Sequence, residues 1–252
     1  MEFELYYYFI FVGAGFLAGF IDSVAGGGGI VTVPVLLASG MPPHVALATN
    51  KLQSSFGSFT ASLNYIKKGL ISLKELYLGI FFTFLGASLG AYSILLLDAN
   101  LLREIIPFML IAIFLYTWFN PKFGHIQKVA QLKESVFYFI FGLLIGFYDG
   151  FFGPGTGTFW TIALVGLMGL NLKKATATTK VMNFTSNIVS LGVFLIGGKV
   201  LFLVGILMGL AQILGAYVGS SMVVKKDVTF IRGFFLLVVG VTIVKLIYDN
   251  WM

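Results

Sequence analysis

Apolar positions run along the chain in long stretches, broken at intervals by glycine, proline or a few charges. In the first half, runs at about 5–22, 29–40, 44–66, 73–97 and 101–119 predict five helical segments. In the second, runs at about 136–149, 156–169, 174–197, 201–223 and 230–248 predict five more. The runs are continuous rather than alternating, which sets aside a transmembrane β-barrel. Several are long enough to cross a hydrocarbon core, which takes about 20 apolar residues as helix. The second segment of each half has only about 12 residues, roughly 18 Å of helix, too short to span. Segments one and two therefore predict a broken, re-entrant pair that enters the membrane and returns to the same face. Three more crossings make the net number odd, so the second half should run inverted relative to the first.

Composition turns this pattern into a class. The chain has 252 residues, 58% hydrophobic and only 10% charged, against about 25% charged in soluble domains. We read one all-α polytopic membrane domain over 1–252, made of two inverted-topology repeats of about five segments. The first repeat is 1–120, a cytoplasmic linker is 121–135, and the second, inverted repeat is 136–252. The start, "MEFELYYYF", has no basic region and predicts no signal peptide. The absence of cysteine excludes disulfides, thiolate metal sites and sulfur redox chemistry. The net charge of +6 is scattered at segment ends, a pattern of cytoplasmic loops rather than of a nucleic-acid binder. Aromatic clusters such as "YYYF" and "YTWF" also lie at segment ends and read as interface belts.

The two halves resemble each other. "GFLAGFID" (Gly15 to Asp22) matches "GLLIGFYD" (Gly142 to Asp149) at an offset of 127 residues, and a glycine-rich stretch follows each. The offset then becomes 129, pairing Ala46, Ala48, Thr49 and Lys51 with Ala175, Ala177, Thr178 and Lys180. Gly69, Gly86, Ala87, Gly90 and Arg103 pair with Gly198, Gly215, Ala216, Gly219 and Arg232 at the same offset. Charge tests the inversion. With the linker in the cytoplasm, the inverted arrangement puts eleven loop lysines and arginines inside and only Arg103, Lys199 and Lys245 outside. A parallel arrangement would put eight inside and six outside. The basic bias favours inversion, with both termini extracytoplasmic.

Lys51 and Lys180 lie inside apolar segments, where a lysine is costly and should face the bundle interior or a wet cavity. Lys51, Ser54 and Ser58 share one helical face, and Lys180, Asn183, Asn187 and Ser190 repeat it. Asn50 and Thr179 add polar groups just before each lysine. The short second segments begin at "GGGG" (Gly26, Gly27, Gly28, Gly29) and "GPGTG" (Gly153, Gly155, Thr156, Gly157). A helix start there leaves its first N–H groups without intrahelical partners and adds a positive dipole end. Such a place suits an anion. Gly86, Gly90, Gly215 and Gly219 have small-xxx-small spacing and read instead as helix packing. Asp22 and Asp149 read either as counterions of the lysines or as proton carriers; the pairing is open. His44 and His125 stand alone and make no metal site. "GGGG" follows no strand and lacks the Lys-Ser/Thr of a nucleotide loop, so no cofactor is expected.

On these residues the chain resembles the sulfite exporter TauE/SafE family. Its first repeat is carried by "GFLAGFIDSVAGGGGIVTVPVLLASGMPPHVALATNKLQSSFGSFTASLNYIKKG". Its second is carried by "GFYDGFFGPGTGTFW", "ATATTKVMNFTSNIVSLGVF" and "GAYVGSSMVVKK". The resemblance implies a multi-pass permease of the cytoplasmic (inner) membrane that moves sulfur-containing anions, often sulfite outward. The expected partners are a small anion such as sulfite, the lipid bilayer and a coupling ion such as the proton, with no nucleic acid. The rival expectations are uptake of an organosulfonate or thiosulfate, and an anion channel. A membrane assembly factor or an intramembrane enzyme is a more distant rival; no nucleophile–base constellation supports an enzyme.

Overall fold

The computed structural model describes residues 3–102, 104–106, 108 and 130–225. The expected segment 230–248, most of the segment 101–119 and of the linker, and His125 lie outside the described residues. All regular structure among the described residues is helical. The helices are α1 (Leu5–Ala25), α2 (Gly28–Ala38), α3 (Pro43–Lys67) and α4 (Tyr77–Leu95) in the first half. The second half supplies α5 (Glu134–Phe151), α6 (Thr156–Leu167), α7 (Leu172–Ile196) and α8 (Phe202–Lys225). A single turn of π-helix, Tyr138–Gly142, interrupts α5.

Local chemistry sets the ends. α1 stops at Gly26, whose φ of 78° lies in the left-handed region open to glycine, and the Gly26 N–H returns to the Asp22 carbonyl at 2.9 Å. α2 restarts two residues later at Gly28, so the broken pair expected from the sequence is present. α5 and α6 repeat the break through Gly153 and Gly155, at φ 99° and 81°. α3 opens with Pro43 in its first turn, where the missing N–H costs nothing. α7 opens on Asn171, whose side chain accepts from the Lys174 N–H at 2.9 Å.

Five of these helices (α1, α4, α5, α7 and α8) are long and apolar enough to cross a membrane. The protein is therefore a multi-pass membrane protein. α3 has 25 residues but fails on hydropathy, because a polar stripe runs along it. α2 and α6 have 11 and 12 residues. The outward face is apolar, with Phe9, Phe81, Leu144 and Leu214 all exposed, as a lipid-facing surface requires.

Glycine makes the tightest helix contacts. Cβ atoms placed on Gly86 and Gly90 of α4 would collide with backbone of α5 at Leu143 and Phe147. On Gly215 and Gly219 of α8 they would collide with α1 at Phe16 and Phe20. These are the same contacts at the two sequence offsets: Gly86 and Gly215 are 129 apart, Phe16 and Leu143 are 127 apart. The first helix of each half thus packs on the fourth helix of the other. α3 and α7 cross between these pairs at the centre.

The ends of the bundle sort themselves too. Lys174 at the start of α7 pairs with Glu75, just before α4, at 3.2 Å, and the Lys173 ammonium donates to the Val224 carbonyl near the end of α8 at 2.9 Å. At the other end, the His44 ring near the start of α3 meets the Ile94 carbonyl of α4 at 3.0 Å. There, too, the Leu201 N–H donates to the Thr49 hydroxyl at 3.1 Å.

Candidate functional site

The two glycine loops meet. A Cβ on Gly26 would sit 2.5 Å from the Gly157 backbone, and Gly29 lies against Pro154. With no side chains in the way, the starts of α2 and α6 come together from the two halves. Their N-cap positions, Gly27 and Gly155, offer no capping side chain. Both positive dipole ends therefore converge on one region deep in the bundle.

The buried lysines reach this region from α3 and α7, and each pairs across the halves. Lys51 Nζ donates to Asp149 Oδ1 at 2.7 Å and to the Asp149 carbonyl. Asp149 Oδ2 in turn accepts from the Ser186 hydroxyl. Lys180 Nζ lies 3.1 Å from Asp22 Oδ2. That contact is a looser ion pair than the 2.7 Å one between Lys51 and Asp149. Each aspartate follows the matched "GF" motif of its own half, and each serves the lysine of the other.

A small polar cavity of about 20 Å³ sits between the loops, room for about one water. Its walls are Asp22, Gly26, Gly27, Gly28, Gly29, Asn50, Lys51 and Ser54 from the first half. Asp149, Gly153, Gly155, Thr156, Gly157, Asn183 and Asn187 come from the second. Nearly every residue singled out in the sequence is brought to this one place. Thr179 and Lys180 stand behind it: Thr179 is buried against the Thr161 hydroxyl at 3.2 Å, and Lys180 is screened by Asp22. Ser58 and Ser190 are fully buried further along their helices. The Asn183 side-chain oxygen is buried in the wall without a partner.

The family model for the sulfite exporter TauE/SafE matches residues 11–246, almost the entire chain. The chain belongs to the sulfite exporter TauE/SafE family. A Haemophilus influenzae relative described as "Probable membrane transporter protein" is 45% identical over 240 residues, covering 94% of this chain and 92% of its own. The Escherichia coli K12 relative YfcA is 45% identical over 234 residues, covering 93% and 87%. A Sinorhizobium relative, ORF9, is 45% identical over 241 residues, covering 96% and 92%. These carry the same description, so this TauE/SafE member is a membrane transporter by family. No solved structure matches the chain.

Sequence reasoning missed a second polar cluster in this TauE/SafE chain. The Gln53 side-chain amide donates to the Asn50 side-chain oxygen at 2.7 Å and to the Thr32 hydroxyl at 3.0 Å, and the Gln53 oxygen accepts from the Gln212 amide. Thr32 also donates to the Asn50 oxygen at 2.6 Å. This network fixes the amide of Asn50 at the cavity wall. The positions matching Gln53 and Gln212 at the 129-residue offset are Met182 and Thr83, which meet at 3.4 Å. The one available signal was a glutamine inside each of two apolar segments, without the regular spacing that marked the lysine stripes.

Proposed function

We propose that this protein is a secondary transporter that exports a small sulfur oxyanion such as sulfite across the cytoplasmic membrane. The observation that carries the reading is the meeting of two helix starts with glycine at the N-cap beside two buried lysines, one of each from either half. Backbone N–H groups around Gly26 to Gly29 and Gly153 to Gly157 would donate to the anion's oxygens. Lys51 and Lys180 would supply charge, and Asn50, Ser54, Asn183 and Asn187 further hydrogen bonds. The family's name supports sulfite as the cargo.

The reading takes the halves as inverted repeats that rock about the central site. Two facts support it: the reciprocal packing of α1 on α8 and α5 on α4, and the pairing of Lys174 with Glu75 at one end of the bundle. An inverted arrangement needs those two residues on one face, here taken as cytoplasmic; a parallel one separates them. Both chain termini then lie outside the cytoplasm.

The test is uptake of labelled sulfite by proteoliposomes. Wild-type protein is expected to accumulate label, faster when unlabelled sulfite is loaded on the far side. Lys51→Ala and Lys180→Ala are each expected to abolish uptake while still inserting. Unchanged uptake in both variants would overturn the site; uptake without trans-stimulation would make the protein a channel.

A further inference from the structure

Resting on the anion-carrier reading above, we infer that Asp22 couples the anion to a proton: it leaves Lys180 as a neutral carboxylic acid when the anion enters, so each monovalent anion travels with one proton. The two ion pairs are not equivalent. Lys51 is held by two oxygens of Asp149, the second carboxylate oxygen of Asp149 is held by Ser186, and only 5% of the Asp149 side chain is exposed. Asp22 holds Lys180 by one contact, at 3.1 Å. Its other oxygen has only a distant approach from the Gly28 N–H at 3.5 Å, and 19% of its side chain is exposed. Of the two pairs, this one is built to open.

Position agrees. Asp22 lines the cavity, and Lys180 is fully buried behind it. Withdrawal of the carboxylate uncovers the Lys180 ammonium. It also frees the Gly28 N–H at the start of α2, so the anion inherits both of Asp22's partners. The cavity, about 20 Å³, is too small for a four-atom oxyanion until the carboxylate moves.

Charge favours a proton. Two lysines and two aspartates cancel. A monovalent anion added to them leaves one net negative charge among the buried side chains, which the partial charges of the two helix starts offset only in part. One proton on an Asp22 oxygen restores neutrality. It comes from the aqueous phase to which the cavity opens and returns to water on the other side; no other bond is made or broken. The groups around Asp22 allow this. α7 presents Lys180, α3 carries Lys51 and Tyr65, and Asp149 lies beyond Lys51 on α5. The Tyr65 hydroxyl is occupied by the Ser23 carbonyl at 2.7 Å. α2 and α6 carry no titratable residue, and those of α8 are the outward-facing Tyr217 and the terminal Lys225.

Calorimetric titration of purified protein with sulfite tests this, run in two buffers of different ionisation enthalpy at a mildly acid pH where the ligand is bisulfite. Wild-type protein is expected to take up about one proton per anion, so that its affinity for the anion falls as pH rises. Asp22→Asn mimics the protonated acid and is expected to bind bisulfite with no proton uptake; the ligand's own titration is common to both proteins and cancels. Equal proton uptake by both proteins, or none by wild type, overturns the inference and leaves the carrier reading standing. Should Asp22→Asn fail to fold, Asp22→Ser takes its place, and proton uptake by that variant equal to that of wild type overturns the inference. Absence of binding and transport of any sulfur oxyanion by wild type removes the carrier reading itself, and this inference with it.

Discussion

At the residue scale, a lysine in an apolar bundle survives only with a partner, and Lys51 has the better one. Removing one member of a buried pair strands the other, which typically costs about 3–5 kcal/mol, whereas replacing both with neutral groups can be close to neutral. Lys51→Met is therefore expected to lower thermal stability in detergent strongly, and Lys51→Met with Asp149→Asn to recover most of it. Neither is expected to transport. Recovery of transport along with stability in the double variant would show that Lys51 is a structural ion and nothing more. Gly26 is constrained for a different reason: its left-handed φ and its contact with Gly157 both exclude a side chain.

At the element scale, the helices are held by close backbone approach, since lipid offers no hydrophobic gain for burying a leucine. Gly86 and Gly215 sit at matching contacts of α4 on α5 and α8 on α1. Alanine at either position is expected to push the pair apart and cost about 1–3 kcal/mol, the usual range for overpacking. Gly13 and Gly192 lie in helices where an added Cβ would meet nothing within 4 Å. Alanine there is expected to leave the melting temperature unchanged or raise it. Melting curves of the four variants in one detergent check the contrast; equal effects at all four would mean that the glycine contacts do not hold the helices together.

At the scale of the whole molecule, the arrangement of faces is open to direct measurement. The chain has no cysteine, so single introduced cysteines report without background. In intact cells a membrane-impermeant maleimide is expected to label cysteines at Gly40 and Gly198 and to spare those at Ser72 and Asn171. Labelling of Asn171→Cys but not Gly198→Cys would mean that the halves run parallel, against the shared face implied by Lys174 and Glu75. In an inverted arrangement one site would be addressable from either side by equivalent motions.

The sequence by itself determined the helical membrane class, the broken helices, the internal repeat and most of the residues that line the cavity. Those features follow from local order: the length of an apolar run, the helical period and the conformational freedom of glycine act within one stretch of chain. The lysine stripes were legible because charge in such a run is rare and the spacing repeats. Only the tertiary structure decided that Lys51 takes Asp149 and Lys180 takes Asp22, each across the halves. It alone showed that Gly26 touches Gly157, and that Gln53 and Gln212 tie α3 to α8. These contacts join residues that are far apart in sequence, and their partners are chosen by how helices pack in three dimensions. No period within a segment encodes that choice.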